Sequence, residues 1–241
     1  MGVGRLAGSR RIRVGSWNVG PLTGKLFELA DVLRRHKETK WKGSSTRVGN
    51  GYKHWYSGSR SARNGVGVIL AASLKDNVVQ VIRKDDRTMK ITLVIDEEIV
   101  NMISTYAPQV GRTDVEKRIF WDSLNELVRE CAADQRLIIG GDLNRHIGAT
   151  AEGYAGVHGG FCYGVRNDEG CSILEFATSH NLVVVNSFFR KRDGFPWRDM
   201  LIPTQIGCLG CSFSETSTRE RGYRDAEDFV EESERRCGGV V

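Results

Sequence analysis

The sequence lacks any apolar run near the ~18 residues that a membrane-spanning helix needs. Four arginines lie between residues 5 and 13, but no apolar segment follows them, so a secretory signal is not expected. These absences predict no membrane association and an intracellular location, nuclear or cytoplasmic.

Cysteine is sparse as well. The chain has six cysteines among 241 residues, too few for a disulfide scaffold, which favours a reducing compartment. Cys208 and Cys211 form a C-x-x-C pair, but no second pair and no histidine pair at matching spacing accompany them. Coincidence is therefore favoured over a zinc site.

The overall composition is that of an ordinary globular protein. Hydrophobic residues make up 40% and charged residues 27%, and a chain of 241 residues can form a single α/β domain. The net charge of +5 is compatible with a phosphate-rich partner, although charge alone favours a merely soluble basic protein.

Composition also varies along the chain. We predict a flexible leader over residues 1–10, a folded domain over 11–198 and a disordered tail, foreign to that domain, over 199–241. Between residues 212 and 236, Glu, Arg, Ser and Thr dominate, and few apolar residues are available to anchor this part to a core.

The most informative segment is 137–144, which reads Leu-Ile-Ile-Gly-Gly-Asp-Leu-Asn. Its short apolar run is typical of a strand that is buried on both faces. The two glycines allow backbone or ligand to approach closely where the strand ends. Asp142 and Asn144 then offer a carboxylate and an amide, which suit a hard cation and a phosphate oxygen. A strand followed by an Asx turn is the alternative interpretation.

Apolar periodicity predicts the remaining elements. The strand at 88–95 alternates apolar and polar residues, which predicts one buried face. The helix at 114–132 is predicted to bury a stripe containing Val115, Ile119, Trp121, Leu124, Leu127 and Val128. The strands at 12–18, 65–71 and 136–141 are predicted to be central. The other predicted elements are a helix that starts at Thr23, strands at 53–57, 78–83, 99–106 and 182–187, a turn at 96–98 and a helix at 168–180.

Four short motifs occur in a characteristic order. They are Ser16-Trp17-Asn18, Glu38-Thr39-Lys40, Tyr106-Ala107-Pro108 and Gly141-Asp142-Leu143-Asn144. Over roughly residues 11–192, this order resembles the endonuclease/exonuclease/phosphatase superfamily, in particular the nuclease domains of non-long-terminal-repeat retroelements and the craniofacial development protein 2 group. The resemblance implies a DNase I-like fold, a four-layer α/β sandwich of two packed mixed β-sheets flanked by helices, here incomplete at its C-terminal end.

The resemblance also implies a chemistry, metal-dependent hydrolysis of phosphodiesters. Glu38 would hold Mg²⁺ (or Mn²⁺), and Asp142 would accept a proton from the attacking water or orient it. Asn144 and Asn18 would contact the phosphate or metal-bound water, and Tyr106 would stabilise phosphate oxygens. The implied partner is nucleic acid, DNA in preference to RNA.

Three further residues have two interpretations each. Arg112 would bind a backbone phosphate or lie solvated in a loop. Asn167 matches the segment at which the family's helix begins and would contact phosphate, but asparagine there is also an ordinary helix cap. His146 is favoured as a loop histidine over a catalytic base.

The chain departs from the family pattern in two places. It contains no terminal Asp-Tyr motif and no Ser-Asp-His motif, and its five histidines are residues 36, 54, 146, 158 and 180. The segment before Glu38 continues a helical pattern where the family has a strand, which would place Glu38 at the wrong end of the sheet. We therefore expect weak or absent activity. A catalytically dead fragment that at most binds nucleic acid is the alternative, and a small-molecule phosphoesterase is a second.

Overall fold

The structure of the chain is a computed structural model that describes residues 44–49, 52–59, 64–144, 146–162, 164–188 and 200–203. These residues form two β-sheets and two α-helices, which confirms the predicted α/β class. Asn18, Glu38, the strand at 12–18 and the helix from Thr23 lie outside the described residues.

The smaller sheet has three described strands in antiparallel sequence order. β2 carries the aromatic pair Trp55 and Tyr56, both buried. β3, predicted to be central, has one described neighbour. The strands are β1 (Ser45–Gly49), β2 (Tyr52–Gly58) and β3 (Gly65–Ala71).

The larger sheet has six described strands in the order β4-β5-β6-β7-β9-β8. β6 and β7 run parallel, and the other neighbours are antiparallel. A two-residue turn joins β5 to β6, and its residues Asp96 and Glu97 have φ values of 49° and 70°, as a tight hairpin turn requires. The strands are β4 (Val78–Arg83), β5 (Thr88–Ile95), β6 (Glu98–Tyr106), β7 (Arg136–Asp142), β8 (Leu182–Val184) and β9 (Met200–Pro203).

Two element boundaries in the C-terminal part differ from the predictions. The strand predicted over 182–187 ends at Val184 and continues as a 3₁₀ turn, Val185–Phe188. β9 falls within the predicted tail, so residues 200–203 belong to the sheet. The rest of the tail lies outside the described residues, and its disorder stays a prediction.

Both helices begin at capping side chains. α1 (Asp114–Arg129) starts after Thr113, whose hydroxyl accepts from the Glu116 backbone N–H while the Glu116 carboxylate accepts from that of Thr113. α2 (Asp168–Ser179) starts after Asn167. The helices end three and one residues earlier than predicted, at Arg129 and Ser179.

The core has two apolar clusters on opposite faces of the larger sheet. One joins this sheet to the smaller one and includes Trp55, Val68 and Ile91; the other joins it to the helices and includes Leu124 and Leu174. The larger sheet is therefore the middle layer of the described structure.

The prediction that β5 has one buried face is wrong. Thr88 and Lys90 on its polar face are 0% and 3% exposed, because α1 covers that face. The Lys90 ammonium is buried but has a partner, the half-exposed Glu130 carboxylate just past α1, at 2.6 Å.

The predicted apolar stripe of α1 is wrong at two positions. Val115 and Ile119 are 63% and 58% exposed, whereas Phe120 is 3% exposed and packs in the core. Val115 lies five residues and Ile119 one residue before Phe120, so the helix rotates both away from the buried face. Leu124, Leu127 and Val128 are buried as predicted.

His180, at the end of α2, predicts a pH dependence of stability. Its ring lies 4.7 Å from that of Phe176, and its Nε2 is 2.7 Å from Asn125 Oδ1. Burial, and then the charge of Arg129, lower the His180 pKa below its ordinary value of 6.5. The unfolded chain therefore takes up this proton first as the pH falls.

We expect the free energy of unfolding to decrease as the pH drops below about 6.5 and this contribution to level off below the folded pKa. Urea unfolding of the wild type and His180→Gln between pH 7.5 and 5 measures it. An identical pH dependence in the two proteins would contradict the assignment.

Candidate active site

Three of the predicted site residues, Tyr106, Asp142 and Asn144, meet where β6 and β7 end. Tyr106 is the last residue of β6 and Asp142 the last of β7, and the two are register partners. Because parallel strands end at the same edge of a sheet, their side chains belong to one edge. The Ala107 N–H donates to the Asp142 carbonyl at 2.9 Å and extends the contact by one residue.

Asp142 and Asn144 form an Asx turn. The backbone N–H of Asn144 donates to Asp142 Oδ1 at 2.9 Å, and Asn144 has a φ of 51°. The Asn144 amide then donates from Nδ2 to the Ala107 carbonyl at 2.7 Å. Its Oδ1 points to the opposite side of the planar amide and has no hydrogen-bond partner among the described residues. The turn and a ligand-binding role are therefore compatible.

Gly141 is required by the neighbouring strand. A Cβ atom at this position would lie 1.8 Å from the Thr105 carbonyl oxygen and 2.7 Å from its carbon. The close approach predicted for this glycine is therefore that of β6.

Tyr106 lies between a glutamine and an arginine. Its hydroxyl accepts from Gln109 Nε2 at 3.2 Å, and the Arg87 guanidinium carbon lies 5.5 Å from its ring centroid. Arg87 Nη1 also donates to the Tyr106 and Ala107 carbonyls, at 3.3 and 3.4 Å. Arg87 is not among the site residues predicted from the sequence. The available signal was its position in the turn before β5, which lies at the same edge as the end of β6 because these strands are antiparallel.

Arg112 lies on the loop between β6 and α1. Its side chain is 48% exposed, and Nη1 is 3.7 Å from Glu116 Oε1. Hydrogen bonds from Thr113, followed by the charges of Arg112 and Arg87, lower the pKa of the Glu116 carboxyl. Both interpretations of Arg112, a phosphate contact and a solvated loop residue, fit this position.

Asn167 is a helix cap, as one of its two interpretations predicted. Its Oδ1 accepts from the Gly170 N–H at 2.8 Å and from the His146 N–H at 3.4 Å. The same side chain therefore ties the start of α2 to the loop that follows Asn144. A phosphate contact would have to come from its amide nitrogen.

Two of the histidines lie in the loop between β7 and α2. His146 is exposed. His158 is 2% exposed; its Nδ1 accepts from the Gly160 N–H at 2.9 Å, so its Nε2 carries the proton and donates to the Gly148 carbonyl at 3.0 Å. His158 thus holds the loop together from within.

Arg166 holds the same loop from its surface. Its guanidinium donates to the carbonyls of Ile147, Thr150 and Glu152 at 3.0, 2.6 and 2.9 Å. The loop that leaves the site is therefore fixed by His158 and Arg166, neither of which is among the predicted site residues.

The site offers two donor groups for a hard cation. Asp142 and Asn144 carry carboxylate and amide oxygens, which fit Mg²⁺ or Mn²⁺. No cluster of three or more His, Cys, Asp or Glu side chains suited to a metal occurs in the part of the chain that the structure describes. That part excludes Glu38, the residue that the family resemblance assigns to the metal.

Comparisons with known proteins support the resemblance seen in the sequence. The chain is 26% identical to craniofacial development protein 2 of Bos taurus over 187 residues, which cover 74% of the chain and 31% of that protein. For craniofacial development protein 2 of Tragulus javanicus, the identity is 25%, over 74% of the chain and 32% of the relative. The predicted likeness to this group is confirmed, and the chain spans about a third of the length of these relatives.

Among solved structures, the endonuclease domain of TRAS1, a telomere-specific non-LTR retrotransposon, matches with a TM-score of 0.45 and 12% identity, over 79% of this chain and 83% of that one. No protein-family model matches. None of the described helices is long and apolar enough to cross a membrane.

Proposed function

We propose that this chain is a metal-dependent phosphodiester hydrolase domain of the endonuclease type, of retroelement ancestry and with weak activity. The meeting of Tyr106, Asp142 and Asn144 at the ends of the two parallel strands carries this proposal. The order of the four motifs supports the proposed ancestry, and the likeness to craniofacial development protein 2 agrees with the family resemblance.

Each of the three side chains has a role that its position allows. The Asp142 carboxylate accepts the proton of the attacking water as the new bond from oxygen to phosphorus forms and the bond to the leaving oxygen breaks. Asn144 is held by the Ala107 carbonyl through its Nδ2, and its Oδ1 would help to hold a divalent cation or the water that it activates. The Tyr106 hydroxyl donates to a phosphate oxygen, whose negative charge grows during the reaction.

A divalent cation fits the oxygen donors of Asp142 and Asn144, with Glu38 proposed as a further ligand. When bound, it would neutralise phosphate charge and polarise the ester. Arg112 and the Asn167 amide are proposed to contact backbone phosphates, which suits nucleic acid as the substrate. The proposed preference for DNA over RNA rests on the family resemblance.

The proposed weakness has a definite cause. The sequence contains no Ser-Asp-His motif, which in the family that it resembles provides an imidazole that contacts the phosphate. Loss of one such acid or electrostatic group lowers the rate by ~10²- to 10⁴-fold. His158 is a poor substitute because it is buried and both of its ring nitrogens bind backbone groups.

A plasmid-nicking assay tests the proposal. With excess Mg²⁺, the 241-residue chain should convert supercoiled DNA to open circles ~10²- to 10⁴-fold more slowly than a family member that retains Ser-Asp-His. EDTA should abolish the nicking. A rate equal to that of the intact enzyme would contradict the proposed weakness, and His146→Ala would then test whether the exposed His146 replaces the missing imidazole.

The second candidate function is a nucleic-acid-binding fragment without catalysis, favoured by the net charge of +5 together with the missing motif. Basic contacts to phosphates are individually small and numerous, so binding should survive the loss of catalysis. Salt-sensitive DNA binding without Mg²⁺-dependent nicking at any protein concentration would establish this alternative and overturn hydrolysis.

A further inference from the structure

We infer that Arg87 is a positioning residue that holds Tyr106 and Asn144 in a single arrangement. The inference deepens the proposed hydrolase function and rests on it for the catalytic consequence. Whether Arg87 holds the Tyr106 side chain in place is independent of any activity.

The hydrogen-bond ladder explains why an arginine is needed here. Pairing of β5 with β6 ends at Thr88 and Thr105, so the Tyr106 carbonyl lies just beyond the ladder on the β5 side, whereas the Ala107 backbone faces β7. Arg87 Nη1 donates to the Tyr106 carbonyl at 3.3 Å, in place of a ladder partner, and reaches the Ala107 carbonyl at 3.4 Å. The Tyr106 N–H donates to the Arg87 carbonyl at 2.9 Å, so Arg87 binds Tyr106 through its backbone as well as through its side chain.

One carbonyl connects the arginine to the asparagine of the site. The Ala107 oxygen accepts from Arg87 Nη1 and also from Asn144 Nδ2, the latter at 2.7 Å. Moving this carbonyl would rotate the Asn144 amide and redirect its Oδ1. The main chain of Arg87 is itself fixed, because its backbone N–H donates to Asp85 Oδ1 at 2.8 Å.

The same guanidinium restrains the phenol ring. It lies 5.5 Å from the Tyr106 ring centroid, within the range of a cation–π contact. The planar fork of arginine can bind carbonyls and face a ring at once, whereas a lysine ammonium is a point charge. Holding the Tyr106 ring therefore requires both the position and the orientation of the Arg87 guanidinium, and a positive charge alone is insufficient.

Arg83 provides a matched control. Its guanidinium also binds two backbone carbonyls, those of Tyr56 and Ser45 at 3.0 and 3.2 Å, but it connects the two sheets. Arg83→Gln removes the same charge and the same kind of hydrogen bonds as Arg87→Gln. Any general effect of losing an arginine should appear in both variants.

The first experiment needs no activity. Tyrosine is replaced by 3-fluorotyrosine, and the Tyr106 signal among the six tyrosines is assigned in the ¹⁹F spectrum with Tyr106→Phe. We expect this signal to shift towards that of free fluorotyrosine in Arg87→Gln and Arg87→Lys and to stay in place in Arg83→Gln. An unchanged signal in Arg87→Gln, or an equal shift in Arg83→Gln, would overturn the positioning role.

The second experiment separates geometry from charge. With Mg²⁺ and a duplex oligonucleotide, kcat should fall ~10- to 100-fold in Arg87→Gln and also in Arg87→Lys, with KM nearly unchanged, because the reacting groups are misplaced while binding contacts stay. Full recovery of kcat in Arg87→Lys would show that charge alone is needed and would overturn the inference. A wild-type chain without Mg²⁺-dependent cleavage would overturn the proposed function, and the fluorine spectra would then decide whether Arg87 positions Tyr106.

Discussion

Asp142→Asn should lower the rate of Mg²⁺-dependent cleavage by ~10²-fold or more while leaving the fold intact. The amide has nearly the shape of the carboxylate, and its oxygen can still accept the Asn144 N–H that Asp142 Oδ1 accepts at 2.9 Å. The turn should therefore persist. The variant loses a negative charge and a proton acceptor, the two properties that the proposed reaction takes from this residue.

Asp134→Asn is the control for this substitution. Asp134 is an exposed carboxylate in the turn before β7, at the end of the strand opposite Asp142. It should keep the wild-type rate. Nicking rates and circular dichroism spectra of the two variants provide the comparison. Full activity in folded Asp142→Asn would remove Asp142 from the mechanism.

Gly141→Ala should destabilise the fold by about 3 kcal/mol or more, because the added methyl group would overlap the backbone of a neighbouring strand. Its Cβ would lie 1.8 Å from the Thr105 carbonyl oxygen, and backbone cannot rotate away as a side chain can. β6 and β7 would have to separate at the point where Tyr106 and Asp142 are partners.

Gly65→Ala is the matched control in β3. Its Cβ would meet the Ser57 carbonyl oxygen at 3.8 Å, an ordinary contact. Urea unfolding of both variants measures the difference, with the slope checked for a change in the unfolding transition. Equal stabilities would show that the two strands are not in close contact at Gly141.

The sequence predicted the convergence of Tyr106, Asp142 and Asn144 because the chain itself marks where their strands end. Tyr106 precedes a proline that cannot continue a ladder, and Asp142 follows an apolar run and two glycines. Because β6 and β7 are parallel neighbours, the residues at their C-terminal ends lie at the same edge of the sheet. The shared edge of Tyr106, Asp142 and Asn144 was therefore predictable before any coordinates.

Contacts that depend on how the helices and strands pack against each other were not predictable in this way. Phe120 replaces Ile119 in the core because α1 docks in a rotation that its mixed apolar pattern left open. The polar alternation of β5 suggested solvent, yet Lys90 is buried beneath α1 and paired with Glu130. Arg87 acts through backbone carbonyls, which carry no residue-specific signal in a sequence.

The parallel pairing of β6 and β7 also determines when the site can form during folding. A hairpin closes locally, but Tyr106 and Asp142 lie 36 residues apart (142 − 106) and meet only after the chain has crossed over through α1. We expect this edge to form late in folding, because the chain must lose the entropy of closing this long loop before the contacts between the two strands can form. Substitutions that loosen α1, such as the loss of the Lys90 contact to Glu130, should therefore lower the fraction of molecules in which the site is formed. Activity should fall for that reason, although every reacting group is still present.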